Sequence, residues 1–149
     1  MTVTPNAVVP ELTSGTVLGF DFGAKRIGVA VGEHQLKLAH PLLTIDAEDS
    51  ERRFAAIDRL VAEWRPAHLV LGLPLAVDGS EHEMTKRARR FARQLHARYR
   101  LDVKFVDERY SSTAAEESLR SQHVDLRNNK NLIDAAAAQI ILQEYFDGA

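Results

Sequence analysis

The sequence predicts an α/β fold, a mixed sheet flanked by helices. Three observations lead there. Three strand-like segments precede the first helical period, which argues for an antiparallel meander. Strand and helix then alternate, which argues for parallel crossovers. The chain of 149 residues is also long enough to bury a core without disulfides or a structural metal.

The elements follow in order. Residues 1–15 carry two prolines and several hydroxyl residues and read as a flexible N-terminal tail. One domain is expected over 16–149. TVLGFDF from Thr16 has the β-branched and aromatic content of a buried strand. GAKR is a turn, and IGVAVGE a second strand weakened by Gly28 and Gly32, so the two predict a hairpin. A third strand is expected from Leu36 to Leu43, interrupted by Pro41. Phe54, Ile57, Leu60, Val61 and Trp64 recur at helical spacing, which predicts a helix over Ala47 to Trp64, ended by Pro66. HLVLGLPL is a nearly continuous apolar run, as in a buried parallel strand. Ser80 and Glu83 form a candidate capping box for a second helix reaching Tyr99. VKFVDE is a fifth strand, and Ser111 to Gln122 a short helix. LIDAAAAQIILQEYF makes a strong last helix.

Composition removes several classes. There is no cysteine, so zinc ribbons, iron–sulfur clusters and thiol nucleophiles are excluded. The net charge of −2 excludes a globally basic nucleic-acid binder but leaves room for a local basic face. No apolar run reaches the roughly 18–20 residues that span a membrane. The N-terminus lacks the pattern of a signal peptide. A soluble cytoplasmic domain with no membrane partner is expected.

Three carboxylates stand in unusual places. Asp21 lies inside an apolar strand between Phe20 and Phe22, which must face the other way. A buried lone carboxylate is costly and normally pairs, binds a metal or takes up a proton. Asp107 and Glu108 end the strand VKFV, and alternation lets only one of them share a face with Asp21. Asp134 opens the last helix. Clustered carboxylates demand cations, and hard oxygen ligands suit magnesium or manganese. Two such ions serve phosphodiester hydrolysis. Each acid also has a plainer role: dipole stabilisation for Asp134, a salt bridge with Arg109 or Lys104 for Glu108.

Cations accompany them. Lys25 and Arg26 follow Asp21 in a tight turn, which suits phosphate binding. From Thr85 to Arg100 there are seven Lys or Arg and no acid. On a helix Lys86, Arg90, Arg93 and Arg100 fall roughly on one side, opposite Ala88, Phe91, Ala92 and Leu95. Such a face would contact phosphates and give salt-dependent binding; the alternative is a solvated surface. Gly72, Pro74 and Gly79 punctuate the exit of the fourth strand, where open α/β sheets often bind ligands. His40 and His68 lack metal-ligand spacing and read as structural or surface residues, and Trp64 as core. Ser111 and Ser112 have no nearby base for nucleophilic chemistry.

Four segments, GFDFGAKRIGVAVG, LVLGLPLAVDGS, FVDERYSS and IDAAAAQIILQ, occur in an order that resembles the YqgF/RuvX family, known as Holliday junction resolvases or pre-16S ribosomal RNA nucleases. The resemblance spans Thr16 to Tyr145. It implies an RNase H-like fold with a five-stranded mixed sheet, the first three strands antiparallel. It also implies a metal-dependent endonuclease, with Asp21, Glu108 and Asp134 as catalytic and metal-holding acids for Mg2+ or Mn2+ in a two-metal arrangement. Lys25, Arg26 and Arg109 fall on or beside its basic positions. Two departures stand out: Ala76 replaces an Asn in the loop after GLPL, and Tyr110-Ser111-Ser112 replaces Leu-Thr-Thr. Neither touches the acids.

The expected function is cleavage of structured nucleic acid, foremost the 5′ end of pre-16S rRNA in ribosome biogenesis. A resolvase of four-way DNA junctions shares the chemistry and calls for a two-fold dimer, so monomer and homodimer both remain open. A non-catalytic nucleic-acid-binding factor on the same scaffold is a further reading. Nucleotide hydrolysis in the manner of actin-like ATPases needs two lobes, and this length supplies one.

Overall fold

The computed structural model describes residues 15–76, 78–108 and 130–148. Five strands form one sheet in the order β3-β2-β1-β4-β5. They are β1 (Thr16–Phe22), β2 (Ile27–Glu33), β3 (Leu38–Ile45), β4 (His68–Leu73) and β5 (Val103–Asp107). β1, β2 and β3 are antiparallel, whereas β4 runs parallel to β1 and β5 parallel to β4. This is the mixed sheet expected from the order of elements. The described helices are α1 (Ser50–Trp64), α2 (Glu83–Tyr99) and α3 (Lys130–Gly148).

Strand alternation sends each strand's residues to two different cores. Leu18, Phe20, Phe22, Val29, Leu69 and Leu71 pack with Phe54, Ile57 and Leu60 of α1 and Phe91 and Leu95 of α2. Val17, Ala30 and Val70 pack on the other side with Ala138, Ile141, Leu142 and Phe146 of α3. The α3 side is built for close approach. A Cβ on Gly19 would lie 2.9 Å from Leu142 Cβ, and one on Gly32 2.6 Å from the Phe146 ring. At Gly28 it would lie 2.0 Å from the backbone oxygen of Asp134. The glycines that weaken the strand pattern are therefore the seat of the last helix.

Several boundaries differ from the sequence expectation. α1 begins at Ser50 and not at Ala47, because Asp49 caps it by accepting from Arg52 N–H. β3 begins at Leu38 because residues 34–37 form the turn, with Lys37 in the left-handed region at φ 55°. A bulge after Val29 absorbs the exposed Pro41, which an edge strand tolerates. The cap of α2 is His82, whose ring accepts from Met84 N–H, while Thr85 Oγ1 accepts from His82 N–H; the expected Ser80–Glu83 box is not formed. The same Thr85 hydroxyl donates to the Pro74 carbonyl, so a buried side chain ties the start of α2 to the exit of β4. α3 starts at Lys130 and has no acid in its first turn, so Asp134 lies beyond the reach of a simple dipole role. Residues 1–14 of the tail expected over 1–15, and the short helix expected at Ser111 to Gln122, lie outside the described residues. Trp64 is half-buried against the core, His40 is exposed and His68 is fully buried.

Candidate active site

Asp21 sits one residue before the end of β1 and points to the α3 side, opposite Phe20 and Phe22, which pack against the α1–α2 core. Its partner across the hairpin is Gly28. Because Gly28 has no side chain, the backbone of α3 settles on the sheet there, and this brings Asp134 beside Asp21. Glu108 follows β5, and its N–H donates to the Leu73 carbonyl at the end of β4 (3.3 Å). Its side chain fills the space over Gly72, where a Cβ would lie 2.2 Å from Glu108 Oε2. Between β4 and β5, Gly72 pairs with Val106. Two glycine-dependent contacts, at Gly28 and Gly72, thus bring Asp134 and Glu108 to the end of the sheet where Asp21 lies.

The acids are not equivalent. Asp21 and Glu108 form a coupled carboxyl pair whose side-chain hydrogen bond needs one proton between them. Burial pushes the Glu108 carboxyl well above its ordinary range, and the charge of Asp21, the hydrogen bond to it, Asp107 and Glu144 push the same way. Asp21 is also raised, chiefly by burial; the bond with Glu108 pulls it back down, and the charge of Asp134 adds to the rise. Glu108 Oε2 is buried without a hydrogen-bond partner among the described residues. Asp134 is half-buried, and its Oδ2 accepts from Arg26 Nε at 2.7 Å.

The other candidates fall in different places. Lys25 is exposed in the turn between β1 and β2, whereas Arg26 is engaged by Asp134. Lys86, Arg90 and Arg93 are exposed on α2, and none of them makes an ion pair among the described residues. Arg89 and Arg98 of the same helix do, with Glu81 and Asp58 at 2.8 Å each. Arg109 lies outside the described residues. Glu108 turns to Asp21 and makes no salt bridge with Lys104. Among the described residues no three acids or histidines are gathered into a ready-made metal cage; Arg26 is paired with Asp134.

One residue escaped the sequence reading. Arg53 of α1 is buried, and its guanidinium donates to the carbonyls of Ala47 (2.6 Å), Gly23 (2.7 Å) and Ala24 (2.9 Å). It pins the turn that follows Asp21. Its spacing from Ile57 and Leu60 put it on the buried stripe of α1, and a cation on such a stripe is a legible signal.

Comparison with known proteins places this arrangement. A solved structure of a fowlpox virus resolvase with Holliday junction DNA superposes with a TM-score of 0.57 at 11% identity, covering 89% of this chain and 97% of that one. RuvC of T. thermophilus with a Holliday junction substrate gives 0.56 at 15% identity, covering 90% and 94%. At such low identity the likeness concerns the fold, which is RNase H-like. Sequence relatives are much nearer. A protein of Methylobacillus flagellatus is 55% identical over 134 residues, covering 90% of this chain and 92% of the relative. One of Dechloromonas aromatica is 56% identical over 133 residues, covering 89% and 91%. Both bear the name "Putative pre-16S rRNA nuclease". A family model described as RuvX: Holliday junction resolvase matches residues 15–148. The chain therefore belongs to the RuvX family, a family of phosphodiester hydrolases.

Proposed function

We propose that the protein is a divalent-metal-dependent endonuclease that trims the 5′ end of pre-16S rRNA in the cytoplasm. One observation carries the chemistry: two carboxyl groups, Asp21 and Glu108, meet at the end of the sheet with a third acid, Asp134, beside them. The donor set fits a hard cation. A buried carboxylate oxygen without a partner among the described residues, Glu108 Oε2, is the kind of group that a cation satisfies. Asp21, Glu108 and Asp134 would hold Mg2+ or Mn2+. When bound, the metal supplies positive charge to the attacking and leaving oxygens of a phosphodiester. The chain's own residues do the rest. Arg26 neutralises Asp134 until it is needed, Lys25 stands free at the turn for a phosphate, and Lys86, Arg90, Arg93 and Arg109 supply cations for the strand on either side.

The RNA reading is supported by the names of the near relatives. A second reading, resolution of four-way DNA junctions, is favoured by the junction-bound state of the structural neighbours. Cleavage of a labelled pre-16S 5′ fragment and of a four-way junction, each with Mn2+, Mg2+ or EDTA, separates them. Metal-dependent cutting that Asp21→Asn abolishes supports the nuclease, and the substrate cut names its class. Binding of either substrate without turnover in any metal would leave a non-catalytic factor.

A further inference from the structure

A cleft of about 160 Å³ opens between the start of α1 and the first half of α2, on the opposite side of the sheet from the three acids. Arg53, Arg87, Arg90, Ser50, Gln94 and Glu48 supply its polar lining, over a floor of phenylalanines. Both helices begin at the end of the sheet where Asp21 lies, since α2 follows the exit of β4, and β4 runs parallel to β1.

Arg53 has five N–H donors, and its Nε and Nη2 are used on the carbonyls of Ala47, Gly23 and Ala24. Its Nη1 makes no hydrogen bond among the described residues. The guanidinium is thus fixed by one edge and has two donors left over in a cleft. Arg87 stands next to it, also stacked toward Phe22, at 5.8 Å from the ring, and has no acidic partner among the described residues. Arg90 is exposed on the next turn, equally without one. Against these three cations stands one acid, the exposed Glu48. Three guanidinium groups converging on a polar cleft call for an anion with several acceptor oxygens.

We propose that this cleft holds a backbone phosphate of the nucleic acid, at a distance from the scissile bond, so that one strand is gripped on both sides of the β1–β2 turn. The inference rests on the nuclease reading given above. Arg53 supplies the two fixed N–H groups of Nη1, and Arg87 and Arg90 close over the phosphate. Because Arg53 also holds the Gly23 and Ala24 carbonyls, the grip is mechanically joined to the turn that carries Lys25 and Arg26.

Binding of a fluorescent pre-16S 5′ fragment, measured by anisotropy in EDTA against salt, tests this. The variants are Arg87→Gln/Arg90→Gln, with Arg59→Gln as a control for loss of an exposed charge on α1. The expected result is about a tenfold loss of affinity in the double variant, with a salt slope shallower by about one phosphate contact, ~0.7 to 0.9 in log–log units. A parallel titration of wild type with inorganic phosphate, followed by NMR of the arginine Nε–H groups, reads the cleft itself. Shifts at Arg53, Arg87 and Arg90 with an unchanged nucleic-acid slope would make it a site for small phosphorylated molecules and overturn the proposal. An unchanged slope with no phosphate shifts overturns it as well, while leaving the nuclease reading intact. Failure of wild type to bind any nucleic acid would sink that reading and the anchor with it.

Discussion

Asp21 and Glu108 meet across the ends of β1 and β5 as a coupled carboxyl pair, and burial raises Glu108 well above its ordinary range. A carboxyl held protonated by burial and by a neighbouring negative charge must release that proton when a cation takes its place. Binding of Mn2+ near pH 7.5 is therefore expected to liberate about one proton per site, because the raised carboxyl is the one titrated. Calorimetry in buffers of different ionisation enthalpy reads the number directly. Glu108→Gln removes the titrating group, so the released proton should vanish and the metal affinity should fall. Proton-neutral binding by wild type would contradict the assignment of the shared proton.

Asp21→Asn separates activity from stability. An ionised carboxylate is costly at this buried position, and Asp134 adds repulsion. The amide keeps the size and still accepts from Glu108. Metal-dependent cleavage is expected to drop below detection, while the metal-free protein gains about 1–2 kcal/mol at pH 8, a fraction of the cost of a buried, repelled charge. Urea unfolding in EDTA checks the second half. Loss of activity through unfolding would appear there as a lower midpoint.

Gly28→Ala and Gly72→Ala distinguish two kinds of close contact. At Gly28 the new Cβ meets the main-chain oxygen of Asp134 at 2.0 Å, so the helix itself must move. At Gly72 it meets Glu108 Oε2 at 2.2 Å and Ile141 Cδ1 at 2.5 Å, and both can swing aside. Overpacking typically costs about 1–3 kcal/mol, and Gly28→Ala should lie at the upper end. Gly72→Ala should cost less in thermal stability yet lose most metal-dependent activity, because Glu108 is what yields. Equal losses of stability in both would argue against a compliant Glu108.

His68 predicts a pH dependence. The ring is fully buried with neither nitrogen hydrogen-bonded among the described residues, and burial together with His34 and Lys104 pushes it down to about 4. The native state holds it neutral, whereas the unfolded chain protonates near pH 6.5. Its contribution to stability is whole above pH 6.5 and is lost as the pH falls toward 4. The Asp21–Glu108 pair works in the opposite sense, since raised carboxyls favour the native state as the pH falls. The difference between wild type and His68→Leu isolates the histidine. The variant should gain on wild type by on the order of 2 kcal/mol between pH 7 and pH 4.5, measured by denaturant titration at each pH.

The alternation of Phe20, Asp21 and Phe22 was enough to send Asp21 to its own side of the sheet, because a strand has no choice of period. The same rule left Asp107 and Glu108 as alternatives. What decides between them is Gly72, a residue on a neighbouring strand, and register between β4 and β5 is not written in either strand alone. Gly28 and Gly32 read as weaknesses in a strand because propensity scores a residue by its own backbone. Their value comes from a helix more than 100 positions away in sequence. The basic stretch of α2 was visible, but its division was not. Arg89 and Arg98 are taken by Glu81 and Asp58, and only tertiary contact shows which cations are left over. Arg53 escaped because arginine is expected on the wet side of a helix, although its spacing from Ile57 pointed inward.

Gly28, beneath the start of α3, acts as a gauge block. Where main chain rests on main chain, the gap has a thickness that no exchange of neighbouring side chains alters. The separation between Asp134 and Asp21 is set by that block, whereas the aromatic packing of Phe20, Phe22, Phe54 and Phe91 lies across the sheet. Substitutions in the aromatic layer therefore trade melting temperature while leaving the spacing of the acids as it was. The two faces can drift independently, one tuned for endurance, the other held to a fixed dimension.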